Sequence, residues 1–182
     1  MSLIEQGLEA GHIVISDDGK QITYVHQNKK RNYTNPEEKV QAETFLKLIM
    51  EYGYPAENIE LYKTVTMGSD KKEADIIVYE NAEWAKPIIV VECKKEDVSQ
   101  QEFNQAVNQA FSYASAIAGT VKYIWVTSII LNSYFRFDKE TEERASLQNI
   151  PLFGSDKVAP YRYVKGGGRH KYLGNYIPVG TR

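Results

Sequence analysis

A run of four β-branched residues, Ile88-Ile89-Val90-Val91, constrains the fold of this 182-residue chain more strongly than its other features. An apolar run without alternation is typical of a central strand that helices cover on both faces. The run leads directly into the charged sequence Glu92-Cys93-Lys94. We therefore predict a buried strand over residues 88–94, in a domain that combines helices with a sheet.

Two segments predict the helices that would cover this strand. The first predicted helix begins at Pro36, which suits the first helical position. Asn35 before it suits the N-cap position. The apolar residues of this helix recur at helical spacing as far as Tyr52, and Gly53 is a natural end point. The second predicted helix covers residues 101–118.

The other predicted strands come from alternation and apolar runs. Ile59, Leu61 and Val65 alternate with polar residues, so we expect all three on one face of a strand over residues 59–66. An Asp-Gly turn predicts a β-hairpin over residues 12–26, preceded by a short, frayed lead-in. The prediction is an α/β fold in which helices flank a central mixed β-sheet and a β-hairpin lies at the N-terminus. Further strands are predicted over residues 74–79, 121–127 and 129–137.

Composition excludes several classes of protein. The 22 Lys and Arg residues nearly balance the 24 Asp and Glu residues, which excludes a uniformly basic DNA-binding protein. A single cysteine, Cys93, excludes an intramolecular disulfide framework and a cysteine-rich zinc site. There is no apolar run of membrane-spanning length and no signal-peptide pattern, so we expect a cytoplasmic protein without a membrane partner.

The residues that carry chemistry are an acid at one strand and an acid-lysine pair at the end of the next. Asp75 begins the predicted strand over residues 74–79, and alternation places Glu92 and Lys94 on one face. Carboxylates are the ligands that Mg²⁺ prefers, and the Cys93 backbone carbonyl could add another oxygen. Such a site could hydrolyse phosphodiesters, with Lys94 holding a water or stabilising negative charge. The pattern alone fits equally well an ordinary pair of strand ends.

Two helical positions add to this pattern. Glu38 could supply a further carboxylate from the first helix, or it could be the capping-box partner of Asn35. Gln109 and Tyr113 are four residues apart and share one face of the second helix. A core role is the simpler interpretation of Tyr113, whereas a polar Gln109 on that face suggests contact with a backbone or a phosphate.

Together these residues resemble the PD-(D/E)xK nuclease superfamily, and more narrowly the N-terminal nuclease domain of type I restriction enzyme R subunits (HsdR). The Gln-x-x-x-Tyr element also resembles RecB-like nucleases. The likeness covers about residues 20–135. It rests on Asn35-Pro36-Glu37-Glu38, Ala74-Asp75-Ile76-Ile77-Val78, Ile89-Val90-Val91-Glu92-Cys93-Lys94 and Gln109-x-x-x-Tyr113.

The resemblance implies a restriction-endonuclease-like core and a metal-dependent deoxyribonuclease activity. Asp75 and Glu92 match the metal-binding acids, Lys94 the catalytic lysine, and Glu38 the acid on the first core helix and a possible further ligand. Mg²⁺ is the implied metal, for which Mn²⁺ can substitute. Ala74 departs from the family pattern, which has proline before the first acid.

The resemblance also implies supporting residues and partners. Gln109 and Tyr113 match the motif that supports the active site and the handling of DNA. The implied partners are double-stranded DNA and the modification and specificity subunits of a restriction complex. ATP would act only through a motor domain, because the chain has no G-x-x-x-x-G-K-[ST] loop.

We predict a nuclease domain over residues 1–140, with its core at about 33–137. Residues 141–182 are predicted to form an irregular extension or a linker toward a motor domain. Two alternatives to the endonuclease stay open: a catalytically silent module that binds nucleic acid or docks onto subunits, and a RecB-like repair exonuclease. Candidate phosphate-binding residues are Lys63, Lys71, Lys72, Lys95 and the run Lys29-Lys30-Arg31.

Overall fold

The computed structural model describes residues 1–117 and 119–158. In this part of the chain the helices are α1 (Leu3–Glu9), α2 (Pro36–Met50) and α3 (Gln100–Ala116), with short 3-10 turns at Val25–Gln27 and Ala56–Asn58. The strands are β1 (Ile13–Ile15), β2 (Gln21–Tyr24), β3 (Lys29–Asn32), β4 (Ile59–Met67), β5 (Asp70–Tyr79), β6 (Pro87–Cys93), β7 (Tyr123–Thr127), β8 (Asn132–Asp138) and β9 (Glu143–Leu147).

The six strands β4 to β9 form one sheet in sequence order. Strands β6 and β7 are parallel and are joined through α3, whereas the other neighbouring pairs in this sheet are antiparallel. Helix α2 belongs to the core on one face of the sheet, and α3 belongs to the core on the opposite face. The predicted α/β fold, with a central mixed sheet between helices, is thus confirmed.

The helices begin where their caps place them. The Asn35 side chain accepts a hydrogen bond from the Glu37 N–H at 3.1 Å, and Pro36 begins α2 as predicted. The prediction of a frayed lead-in is wrong, because Ser2 and Glu5 form a capping box that starts α1. Gly7 lets α1 approach α2 closely, since a Cβ at this position would lie 2.5 Å from the Leu46 side chain. No helix among the described residues has the length and apolar character to cross a membrane.

The predicted hairpin forms and becomes part of a three-stranded antiparallel sheet, β1-β2-β3. Side chains that follow β2 bind the outer edge of β4. The His26 Nε2 lies 2.8 Å from the Ile59 carbonyl oxygen. Gln27 accepts a bond from the Leu61 N–H at 2.8 Å, and the Lys29 ammonium donates to the Leu61 carbonyl at 2.6 Å. The N-terminal sheet therefore satisfies backbone groups that an edge strand would otherwise expose.

The β4–β5 hairpin changes face at Tyr62. Tyr62 has a φ of +57°, which is rare for an aromatic residue within a strand. Before it, Ile59 and Leu61 pack in the core that contains α2, whereas Val65 beyond it packs in the core that contains α3. The expectation that Ile59, Leu61 and Val65 share one face is therefore wrong. A single left-handed residue is enough to redirect an alternating strand.

The ordered fold continues past residue 140, where we expected an irregular extension. Strand β9 pairs with β8, and Ile150 is fully buried. The Tyr52 hydroxyl donates to the Asn149 side chain, and the Tyr54 hydroxyl donates to the Pro151 carbonyl at 2.9 Å. These contacts join the segment after β9 to the end of α2, so a boundary at 140 would cut through the packed core. The rest of the predicted extension, residues 159–182, lies outside the described residues.

Candidate active site

The two acids lie opposite each other where β5 and β6 separate. The ladder between these strands pairs Ile76 with Val91, and one step further it brings Asp75 opposite Glu92. There the Asp75 carboxylate replaces a backbone partner and accepts a hydrogen bond from the Cys93 N–H at 2.7 Å. The structure therefore brings together the two acids that the sequence analysis singled out.

Lys94 completes this cluster. Its Nζ lies 3.1 Å from Oε1 of Glu92 and 3.0 Å from Oε1 of Glu37. The backbone N–H of Lys94 donates to the Thr127 carbonyl at 2.8 Å, which ties the end of β6 to β7. The lysine is thus held between a strand carboxylate and the first turn of α2.

Glu92 carries the least satisfied polar atom in the described part of the chain. Its side chain is only 2% exposed, and its Oε2 is buried without a hydrogen-bond partner among the described residues. A buried acceptor without a partner is costly, and each such atom in a native fold calls for an explanation. A cation bound beside Asp75 would provide one.

Burial and mutual repulsion shape the charges of this cluster. Burial raises the pKa of Asp75, against the opposing effects of the Cys93 N–H and the Lys94 ammonium. Burial, followed by the negative charge of Asp75, raises the pKa of Glu92 well above its usual range. Burial tends to lower the pKa of Lys94, but Glu92 and Glu37 outweigh it and the pKa is raised. Lys94 is therefore a cation at neutral pH, and the two acids hold protons more strongly than ordinary carboxylates do.

The donor set fits a hard divalent cation with an incomplete protein shell. Among residues 1–117 and 119–158, no group of three or more His, Cys, Asp and Glu side chains is arranged to hold a metal. Mg²⁺ usually takes one or two carboxylates and completes its shell with waters and substrate phosphate. The pair Asp75 and Glu92 agrees with that mode. The Cys93 side chain is fully buried, as predicted, and its carbonyl stays a predicted ligand.

The structure gives Glu37 and Glu38 different surroundings. Glu37 binds Lys94, whereas Glu38 is buried and accepts hydrogen bonds from the Tyr24 hydroxyl at 2.6 Å and from the Tyr62 hydroxyl. Glu38 thus does not form the capping box that was the alternative interpretation, because its carboxylate points to these tyrosines. Its role as a site acid stays a prediction.

Gln109 and Tyr113 form one connected unit. The Gln109 amide donates to the Tyr113 hydroxyl, which donates to the Glu73 carbonyl at 3.2 Å. Tyr113 is buried, as its core interpretation predicted. The unit connects α3 to β5 two residues before Asp75, so it supports the strand that carries the first acid.

Sequence reasoning missed Gln41. This residue lies one helical turn after Glu37 and Glu38 and is 3% exposed. Its amide donates to the Asp75 backbone carbonyl at 3.2 Å. Gln41 is a polar residue among the apolar residues that recur at helical spacing in α2. Such a position signals a buried hydrogen bond, because a buried amide needs a partner.

Four of the seven basic candidates contact a carboxylate or the backbone. Lys63 pairs with Glu60 at 3.2 Å, Lys95 lies 3.7 Å from Asp97, and Arg31 pairs with Glu73 at 3.3 Å. The Lys29 ammonium binds a backbone carbonyl of β4. Three other candidates have exposed side chains, and their contacts with phosphate stay predictions: Lys30, Lys71 and Lys72.

The fold and the cluster together define a mixed α/β domain with an acid-acid-lysine site at the end of its central strands. The family model described as type I restriction enzyme R protein N terminus (HSDR_N) matches residues 36–151. The chain belongs to this family, as the sequence resemblance indicated.

Other comparisons add little to this assignment. A structure search found a fragment described as an HsdR subunit of a type I restriction enzyme from Vibrio vulnificus YJ016. It is 24% identical, with a TM-score of 0.42, and the match covers 62% of this chain and 23% of that chain. No curated protein matches the chain significantly.

Proposed function

We propose that this chain is a metal-dependent endonuclease domain that hydrolyses DNA phosphodiesters, the cleavage module of a type I restriction enzyme R subunit. The observation that carries the proposal is the Oε2 of Glu92, which is buried near Asp75 without a hydrogen-bond partner among the described residues. Membership of the R protein family supports the same activity. An ordinary strand end would offer no reason to bury such an oxygen.

Asp75 and Glu92 would hold Mg²⁺, or Mn²⁺ in its place, and the Cys93 carbonyl and Glu38 stay possible further ligands. When bound, the metal would lower the pKa of a water and neutralise charge on the scissile phosphate. The Cys93 N–H fixes one Asp75 oxygen, so the carboxylate keeps its direction before the metal arrives.

Lys94 would act as a positive charge rather than as a base. Its carboxylate neighbours raise its pKa, so the ammonium keeps its proton at neutral pH. Only 21% of its side chain is exposed, and in such a site a fixed cation stabilises the negative charge that develops on a phosphate in the transition state. Glu37 would hold the ammonium in place from α2.

The Gln109–Tyr113 unit would support the site and the path of the DNA. Exposed Lys71 and Lys72 on β5 are the candidates for sequence-independent phosphate contacts. We propose that the partners are double-stranded DNA and the modification and specificity subunits. ATP would be used only by a motor domain elsewhere in the complex.

Cleavage of a covalently closed plasmid by the restriction complex tests the proposal. Asp75→Asn and Lys94→Met in this domain should abolish cutting. Asp156→Asn and Lys86→Met make the same changes at two exposed positions and serve as controls. Complexes with either control should cut like the wild type. Undiminished cleavage with Asp75→Asn would refute the assignment. Cutting restricted to linear DNA would favour the repair exonuclease.

The catalytically silent module stays the second candidate. It is favoured by the ion pair that Lys94 makes with Glu92, which engages one oxygen of that carboxylate. A silent module would bind neither Mg²⁺ nor Mn²⁺ at Asp75, even with duplex DNA present.

A further inference from the structure

We infer that Tyr62 is a positioning residue that aims the Asp75 carboxylate, and that buried Glu38 acts on the site through Tyr62. This inference rests on the proposed nuclease function. It assigns to β4 and to the first turn of α2 a task distinct from holding the metal.

The first support is the place of Tyr62 in the β4–β5 hairpin. The ladder pairs Leu61 with Ile76 and Lys63 with Ala74, and these pairs put Tyr62 opposite Asp75. This pair is missing from the ladder, and Tyr62 has the left-handed φ of +57°. Asp75 therefore lies where β5 departs from regular pairing, beside a distortion in the neighbouring strand.

The second support is that Tyr62 is held from several directions. Its hydroxyl donates to the Glu38 carboxylate, which also accepts from Tyr24. The Arg31 guanidinium lies 3.6 Å from the centre of the Tyr62 ring and pairs with Glu73 of β5. An unfavourable backbone conformation persists only where its surroundings fix it, and such positions cluster at functional sites.

The third support is that hydrogen bonds from two other elements hold β5 in place at Asp75. Gln41 donates to the Asp75 carbonyl, and the Cys93 N–H donates to the Asp75 carboxylate. Gln41 lies on α2 one turn from Glu38, so this helix contacts Asp75 through Gln41 and Tyr62 through Glu38. Release of Tyr62 should therefore let the Asp75 carboxylate turn away from Cys93.

The amide proton resonance of Cys93 tests this in the metal-free chain, because that N–H donates to Asp75. Asp75→Ala gives the resonance position without the bond. Tyr62→Phe should move the resonance toward that position and weaken Mn²⁺ binding by about tenfold, as loss of an outer support does in metal sites. A wild-type resonance and wild-type Mn²⁺ affinity in Tyr62→Phe would overturn the inference.

Tyr79→Phe is the matched control. Tyr79 is also a buried tyrosine of this hairpin whose hydroxyl donates to a carboxylate, that of Glu60, and it has no left-handed φ. Its replacement should lower the melting temperature while the Cys93 resonance and the Mn²⁺ affinity stay unchanged. Equal effects of both variants on the resonance would show a merely structural role and overturn the inference.

Glu38 variants provide a second route if Tyr62→Phe fails to fold. Glu38→Ala should shift the Cys93 resonance, whereas Glu38→Gln keeps an acceptor oxygen and should restore it. A Glu38→Ala variant that weakens Mn²⁺ binding without moving the metal-free resonance would show a direct ligand and overturn the inference. If the wild type bound no Mn²⁺ even with a short DNA duplex present, the proposed function would fail, and the resonance would still decide the role of Tyr62.

Discussion

The Nζ of Lys94 lies 3.1 Å from one carboxylate oxygen of Glu92, while the other oxygen of Glu92 is buried without a partner among the described residues. The ion pair thus leaves one side of the Glu92 carboxyl group unused, because each of its two oxygens can take part in a hydrogen bond. The nuclease proposal explains the free side as a cation position.

Replacement of Glu92 tests whether this carboxylate is retained at a cost to stability. In the absence of metal, Glu92→Leu combined with Lys94→Met should leave the fold equally stable or stabilise it by about 1–4 kcal/mol at pH 8, as apolar replacement of both partners of a buried ion pair does. Thermal and urea unfolding with a chelator would measure it. Glu80→Gln, at an exposed ion pair with Lys86, should change stability by less than about 0.5 kcal/mol. Marked destabilisation of the double variant would argue for a purely structural ion pair.

The pH dependence of stability should report the same two acids. Burial raises the folded-state pKa of Asp75 to about 7 and that of Glu92 well above its usual range. The folded chain then binds more protons than the unfolded chain between about pH 4 and 7, so the contribution of these acids to stability falls as pH rises. In the metal-free state, Asp75→Asn with Glu92→Gln should remove this fall. Unfolding at pH 5 and pH 8 checks the difference, and equal slopes for both proteins would contradict it.

Lys94→Met separates chemistry from metal binding. Loss of the ammonium should reduce DNA cleavage at least about 100-fold, the scale of removing one group that stabilises transition-state charge. Mn²⁺ should still bind, because both acids remain. Cleavage rates and calorimetry on the same preparation give both values. If the Lys94→Met domain stays folded but no longer binds Mn²⁺, Lys94 belongs to the metal site instead.

The segment after β9 should contribute to global stability. Asn149→Ala leaves the buried Tyr52 hydroxyl without its acceptor and should cost about 1–3 kcal/mol. Urea unfolding measures the loss. Asn104→Ala, at an exposed hydrogen bond on α3, is the matched control and should be near neutral. A chain cut after residue 140 should lose cooperative unfolding. A cooperative urea transition like that of the full chain would instead support a domain boundary at residue 140.

Local signals predicted most of the fold. The caps at Asn35 and Pro36 start α2, and the apolar run at Ile88 forms the central strand, because capping and burial act over a few neighbouring residues. Helix α1 is hard to predict because its seven residues are too few to show a helical period, and the capping box of Ser2 and Glu5 is its main local signal.

Of the acids and the lysine at the site, the sequence predicts only those at the strand ends. Asp75, Glu92 and Lys94 were found because alternation and the ends of strands are visible in sequence. That Glu37 rather than Glu38 contacts Lys94 depends on the rotation of α2 over the sheet, which its stripe does not specify closely. The face change at Tyr62 depends on Glu38 and Arg31, which are distant in sequence.

Mn²⁺ binding by calorimetry is the most direct measurement of the central claim. The wild-type chain should bind Mn²⁺, alone or with a short DNA duplex that supplies phosphate oxygens, and Asp75→Ala with Glu92→Ala should abolish the binding. Asp18→Ala with Glu80→Ala, both exposed, should leave it unchanged. No binding by the wild type in the presence of duplex, or unchanged binding by the Asp75 and Glu92 variant, would contradict the nuclease site.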